Sequence, residues 1–345
     1  MSSEAASPAA AGFRQPAEWE RHAAVWLAWP SHGELWLDSL ADAQRELTGL
    51  CEAIAAGDEA LRVLVRTPLD EQAARRALAG LEATFHRVPY GDIWLRDTAP
   101  IFLVGKGGEV GSVRFGWNGW GGKYDLPFDR EVAGRLQQIA GGPAFARPFV
   151  LEGGAVEVDG EGTLLTTRQC LLHPNRNPGA TEPQIEGWLR DALGVERILW
   201  LDEGLVRDHT DGHVDTVARF VAPGQVVCMA PSGDDPNRQA LDDIAAALGR
   251  MVDARGRRLE VHRMPSPGRV LDEDGEVMPA SHANFYIANR SVVVPTYETE
   301  WDEAAVRALE PLFPGRRVVG RPSRTILEGG GAFHCITQQI PAGTA

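Results

Sequence analysis

Apolar and β-branched residues gather along this chain in paired runs, each pair opened by a turn and split by a short polar or glycine-containing break. Such pairs occupy Asp92 to Val104, Val150 to Thr166, Gly212 to Cys228, His282 to Val294 and Thr325 to Gln338. Their spacing of roughly 45 to 70 residues is the scale at which repeats build propellers or arrays. Between them, apolar residues recur at intervals of three and four, which predicts helices over Ala41 to Ala56, Leu69 to Ala83, Glu182 to Leu193, Pro236 to Val252 and Asp302 to Leu312. Short β-rich runs such as Leu61 to Val65 and Arg197 to Leu201 flank these helices. The pattern therefore predicts an α/β fold: five ββαβ-like units around a centre, whose loops converge on one pocket. Residues 1–12, rich in Ala and Ser, read as a flexible tail. With no low-complexity linker beyond them, residues 13–345 read as a single domain.

Composition narrows the class without changing that picture. Hydrophobic content of 43% and charged content of 24% are those of a soluble globular protein. The formal charge of −14, from 34 Lys and Arg against 48 Asp and Glu, disfavours nucleic acid and favours a small cationic substrate. The N-terminus lacks a basic stretch followed by an apolar one, and no segment is apolar enough to span a bilayer. A cytoplasmic protein with no membrane partner is expected. Cys51, Cys170, Cys228 and Cys335 are scattered without a Cys-x-x-Cys pair, so neither a disulfide framework nor a zinc ribbon is indicated.

Chemistry gathers at the turns of the repeats. Cys335 follows a run of three glycines in Leu327-Glu-Gly-Gly-Gly-Ala-Phe-His-Cys335, and the opening of that stretch recurs as Leu151-Glu-Gly-Gly. Asp97 ends Trp94-Leu-Arg-Asp97, Glu152 sits in Leu-Glu-Gly-Gly, and His213 and Asp215 share Thr210-Asp-Gly-His-Val-Asp215. Each alone is an ordinary turn, cap or core residue; their equivalent places in successive units lift them above that reading. His213 and Asp215, two apart, would face one side of a strand with Val214 in the core behind. A thiol and an imidazole make an activated nucleophile with its proton carrier. Three added carboxylates demand a cation, and a guanidinium fits best because its planar fork pairs bidentately with carboxylates. Asp97 and Asp215 would hold the fork, Cys335 would attack, His213 would protonate the departing ammonia and then activate water, and Glu152 would orient the imidazole.

At this point the chain resembles the agmatine deiminases, within the guanidine-modifying superfamily with the five-bladed pentein fold. The resemblance runs from Pro16-Ala-Glu-Trp-Glu through Trp94-Leu-Arg-Asp, Trp117-Asn-Gly-Trp-Gly-Gly-Lys-Tyr, Leu151-Glu-Gly-Gly, Thr163-Leu-Leu-Thr-Thr, Asn175-Arg-Asn-Pro, Asp211-Gly-His-Val-Asp and Asn284-Phe-Tyr-Ile-Ala-Asn to His334-Cys-Ile-Thr-Gln-Gln. It implies a five-bladed, pseudo-symmetric α/β propeller with a central active site. It also implies hydrolysis of agmatine to N-carbamoylputrescine and ammonia through a covalent thiouronium on Cys335, with His213 as acid and base, Glu152 as its partner, and Asp97 and Asp215 on the guanidinium. No cofactor and no metal are expected, and a homo-oligomer stays open.

Departures touch the far end of the substrate. Where similar members carry Asn before the Gly-His pair and an acidic residue four before the histidine, this chain has Asp211 and His209; Asn-Ile-His before the cysteine is replaced by Ala332-Phe333-His334. Which of Asp208, His209 and Asp211 reads the distal amine stays open. Arginine or peptidyl-arginine is the alternative substrate; it would call for a carboxylate-binding arginine, with Arg96, Arg207 and Arg324 as candidates. Trp94, Trp117 and Trp120 could wall the alkyl chain, Trp94 first because it shares a turn with Asp97. A zinc metallohydrolase using His209, His213 and Asp215 is the alternative from another class. It is weakened because two histidines four apart share a face only on a helix, whereas Gly212 and the following Val-Asp-Thr-Val predict a strand.

Overall fold

Each paired β-rich run becomes an antiparallel pair of strands, and a helix then returns the chain to a third strand parallel to the second. A computed structural model of the chain describes residues 6–343. In the first unit Ile101–Gly105 pairs with Val110–Gly116, and helix Asp129–Ala140 leads to Ala144–Val150. The second runs from Glu157–Val158 and Thr163–Thr167 through helix Glu182–Leu193 to Arg197–Leu201. The third has Ala218–Ala222, Gln225–Ala230, helix Arg238–Leu248 and Glu260–Pro265, and the fourth Tyr286–Ile287, Ser291–Thr296, helix Asp302–Leu309 and Arg317–Pro322. The fifth is assembled from the two ends of the chain. Gln338–Pro341 lies antiparallel to His22–Ala28, which continues through helix Leu40–Ala55 to Ala60–Val65. The result is five separate sheets of three or four strands. A helix recurs at the same place in every unit because two parallel strands can be joined only by a long crossover.

Helices over the sheets explain why central strands read as continuous apolar runs: Thr163–Thr167 is buried throughout, and Ser291–Thr296 nearly so. Apolar packing is divided among clusters centred on Trp26, Leu47 and Ile54, on Phe220, Leu248 and Val292, and on Leu103, Leu164 and Leu189. Charged groups are buried too, among them Glu18, Arg96, Glu157, Arg219 and His334.

Three local expectations change. Helix Asp129–Ala140 was not expected, and its N-cap explains why: Phe128 has a left-handed φ of 74° and supplies no capping side chain. The helix expected over Leu69 to Ala83 ends at Ala77, ahead of Gly80 with φ 89°. Of the expected tail, residues 1–5 lie outside the described residues, while 8–12 form turns, with the Ala9 N–H donating to Asp191 O at 3.1 Å. Among the described residues no helix is long and apolar enough to cross a membrane.

Candidate active site

Glycine decides where the backbone can enter the centre. A Cβ at Gly154 would stand 2.6 Å from His213 Nδ1, 3.0 Å from Asp215 Oδ2 and 3.1 Å from Asp97 Oδ1. Two units therefore present polar groups to a point on a third that only a hydrogen can occupy. A Cβ at Gly331 would likewise meet Trp94 at 2.7 Å and Cys335 Sγ at 3.1 Å, so the glycine run lets Cys335 lie against the tryptophan.

Asp97 sits on the short helical turn Leu95–Thr98, with Oδ1 accepting the Gly154 N–H at 2.9 Å and Oδ2 the Trp120 indole N–H at 2.8 Å. Trp120 holds a left-handed φ of 52°, an unusual backbone state for a bulky side chain. His213 precedes the single 3-10 turn Val214–Thr216 rather than lying on a strand, which corrects the expectation for His213 and Asp215. The cause is local: Asp211 and Gly212 take φ of 63° and 84°, and the His213 N–H donates to Asp208 Oδ2 at 3.2 Å and Thr210 Oγ1 at 3.1 Å. Val214 still packs into the core. His213 Nδ1 lies 3.8 Å from Asp97 Oδ1, and donor atoms of His213, Glu152 and Cys170 lie within 4.8 Å of one another. Glu152 is anchored by Arg176, whose Nε donates to Oε1 at 2.9 Å; the other oxygen, Oε2, is buried without a partner among the described residues. Cys335 Sγ is 3.8 Å from Asp215 Oδ2 and 3.4 Å from Asn284 Oδ1.

Electrostatics follow from burial among carboxylates. Burial, then Asp215 and Asp97, pushes the Cys335 thiol well above its ordinary range, so the empty site holds S–H rather than thiolate. Burial works against the His213 cation, but Asp97, Cys170 and Glu152 outweigh it and raise the ring well above ordinary imidazole. Burial presses Asp97 toward the neutral acid, although the His213 ring and the Trp120 donor resist. Asp215 goes the other way: burial raises it, yet the hydrogen bond and charge of His334 carry it below the usual carboxylate range.

Above these groups opens a cavity of about 330 Å³, lined by Asp97, Cys335, Trp36, Trp94, Trp120 and, toward the rim, Glu328 and His209. Trp94 and Trp120 are therefore walls, Trp117 packs behind Trp120 at 4.6 Å, and Trp36, which sequence reading passed over, stacks on Trp94 at 6.4 Å. Asp92 accepts from both the Trp36 and Trp94 indoles at 3.0 and 2.8 Å. Among the described residues no Arg or Lys lines the cavity. Arg96 is turned to the His334 carbonyl, Gln338 and Gln339, Arg207 pairs with Glu276, and Arg324 reaches the Leu271 carbonyl. Asp208 is spent on its own loop and Asp211 on Arg176 and Lys123, leaving His209 at the rim with Nδ1 3.0 Å from the Tyr124 hydroxyl. His209, His213 and Asp215 do not gather: the one group of three potential metal donors among the described residues is Glu152, Cys170 and His213.

Asn284 was overlooked as chemistry. It stands in the fourth unit, where its Oδ1 accepts the His334 and Cys335 N–H groups at 3.0 and 3.3 Å as well as facing the sulfur. Every unit thus sends at least one polar side chain to the centre: Asp97, Glu152, His213 with Asp215, Asn284 and Cys335.

Fold and site place the chain in a guanidine-modifying class of mixed α/β proteins. An amidinotransferase of Microseira wollei shares the fold alone, at 15% identity and a TM-score of 0.57 over 97% of this chain and 98% of that one. Residues 14–341 match the Porphyromonas-type peptidyl-arginine deiminase family, and the chain belongs to it. A Legionella pneumophila (strain Philadelphia 1) relative, provisionally named agmatine deiminase, is 38% identical over 339 residues, covering 97% of each protein. The agmatine deiminase of Enterococcus faecalis superposes with a TM-score of 0.93 at 35% identity over 99% of both chains.

Proposed function

We propose that the protein hydrolyses agmatine to N-carbamoylputrescine and ammonia, and that residues 13–343 form one pentein domain whose five sheets are blades around the site, residues 344–345 of the expected domain lying outside the described residues. The observation that carries the substrate is the cavity lining: carboxylates and tryptophans with no Arg or Lys among the described residues. An arginine substrate would bring a carboxylate into that cavity with no cation to meet it. Agmatine has none, and its butyl chain suits walls of Trp36, Trp94 and Trp120.

In this reading the guanidinium docks on Asp97 and Asp215, and its positive charge offsets the carboxylates that hold the thiol protonated. As the cation docks, Cys335 gives up its proton to bulk water and the thiolate attacks the central carbon. The His213 imidazolium gives its proton to the departing nitrogen, so ammonia leaves and a thiouronium remains on sulfur. Neutral His213 then takes a proton from water as its oxygen bonds to the same carbon; the C–S bond breaks, and the remaining hydroxyl proton passes to the departing sulfur as the ureido carbonyl forms, restoring the thiol. Glu152, fixed by Arg176, supports the imidazolium in both halves. The test is release of ammonia and ureido product from agmatine, arginine and a peptide with C-terminal arginine. Turnover of agmatine far above the other two is expected; preference for either arginine compound overturns the assignment.

A further inference from the structure

Two sequence features are left unused by this chemistry: Glu18, near the N-terminus, and His334, next to the nucleophile. They meet in the core. His334 Nδ1 lies 2.7 Å from Asp215 Oδ2 and His334 Nε2 lies 2.7 Å from Glu18 Oε2, although Glu18 and His334 are 316 residues apart in sequence. All three are buried, His334 at 1% exposure. A ring with a carboxylate oxygen on each nitrogen can donate to both only as the imidazolium. The surrounding charges alternate accordingly. Arg219 donates to Glu18 Oε2 at 2.8 Å and to Glu157 Oε2 at 3.0 Å, and Arg96 lies 3.7 Å from Glu18. Asp215, Glu18 and Glu157 are thus matched by His334, Arg219 and Arg96, the balance a buried cluster requires.

We propose that His334 is a positioning residue for Asp215, held as a cation by Glu18, and that it decides which Asp215 oxygen meets the guanidinium. Asp215 Oδ2 is held by the ring at 2.7 Å and also faces the Cys335 sulfur at 3.8 Å, whereas Oδ1 is buried with no partner among the described residues. Oδ1 is therefore the acceptor left for a substrate N–H. The ring itself is fixed at its backbone: the His334 N–H donates to Asn284 O at 3.1 Å, and its carbonyl accepts from Arg96 Nε at 3.2 Å. Glu18 is fixed in turn by the Ile287 N–H at 2.8 Å. The N-terminal segment, remote from the cavity, thereby acts on ligand binding through one imidazole.

This inference rests on Asp215 as a guanidinium carboxylate, so the experiment separates the two. Agmatine binding to Cys335→Ser protein and turnover by the wild type test the parent reading; failure of both sinks that reading alone. Given binding, His334→Gln in the Cys335→Ser background should weaken it by about tenfold or more, the loss expected for a hydrogen bond to a charged group. The acid limb of binding should also move to higher pH, because Asp215 loses the cation that keeps it ionised. A merely structural role for His334 would lower thermal stability and leave that limb in place. Unchanged affinity and an unchanged limb overturn the proposal. Should His334→Gln fail to fold, nitrogen NMR of the wild type decides: both ring nitrogens of His334, assigned by their shift in Glu18→Gln, should each carry a proton. A ring nitrogen without a proton overturns it as well.

Discussion

In the proposed reaction the Cys335 sulfur stays inert until the guanidinium arrives. Burial and the nearby Asp215 and Asp97 hold it as a thiol, and the Asn284 carbonyl oxygen accepts its S–H. A neutral alkylating reagent should therefore react slowly at neutral pH and faster when a small non-reacting guanidinium fills the site. Fast alkylation of the empty protein at about pH 6, far below ordinary thiol titration, would refute substrate-assisted ionisation. Cys335→Ser should abolish turnover while agmatine still binds, since the carboxylates proposed to grip the cation are untouched; calorimetry distinguishes the two effects. At the rim, Glu328 is the acidic lining residue left free of the guanidinium site and of the Asp92 indole pair, with Arg324 at 3.5 Å as its competitor. Glu328→Gln should raise KM for agmatine by about two- to tenfold with little change in kcat, the modest range expected of an exposed ion pair. An unchanged KM would assign the distal amine to His209 and Tyr124.

Elements separate the work of folding from the work of chemistry, and two substitutions make the separation measurable. Helix Pro68–Ala77 begins with a capping box in which the Thr67 hydroxyl accepts the Asp70 N–H at 3.1 Å and Asp70 Oδ2 accepts the Thr67 N–H at 3.0 Å. Thr67→Ala should cost about 1 kcal/mol of stability, seen as a lower urea midpoint with unchanged kcat. Gly154→Ala should do the reverse, because its methyl group would intrude on His213, Asp215 and Asp97: kcat/KM should fall by about a hundredfold or more, with a smaller change in stability. Wild-type activity in Gly154→Ala would mean that these groups do not converge on substrate. The same elements show what a sequence displays and what it hides. Paired strands and the Glu-Gly-Gly turns are legible because their periodicity and glycines are local signals. A charged side chain repeated at equivalent turns is also visible, which is why Asp97, Glu152, His213, Asp215 and Cys335 stand out. Asn284 is not, since a neutral amide holding backbone N–H groups has no chemical signature. Nor are Glu18 and Arg176, whose partners become neighbours only when the units close on one another. The turn at His213 was misread as a strand because the left-handed backbone at Asp211 precedes it at a residue type that only sometimes adopts that state.

Closure of the whole molecule depends on burying groups that must stay protonated, and this sets an alkaline limit. Burial pushes Cys51 up to about 12 and Cys228 up to about 11, and it raises Cys170 as well as Cys335. Tyr286 and Tyr297 are raised by the same cause. In the unfolded chain these thiols titrate near the ordinary value of 9.0. Below that pH both states keep their protons and the full stability is present. Above it the unfolded state binds fewer protons than the folded one, so stability falls as pH rises, by up to about 1.4 kcal/mol per pH unit for each such group. The net charge of −14 reinforces the trend, because each added anion increases self-repulsion in the compact state. Thermal unfolding under reducing conditions should therefore show a level Tm from about pH 7 to about pH 8.5 and a steepening decline beyond about pH 9. Replacing Cys51 and Cys228 together by alanine should lower Tm at neutral pH, through the cavities left, yet flatten the alkaline decline. A Tm that stays level past about pH 10, or an undiminished slope in the double variant, would mean that these buried thiols do not govern the alkaline limit.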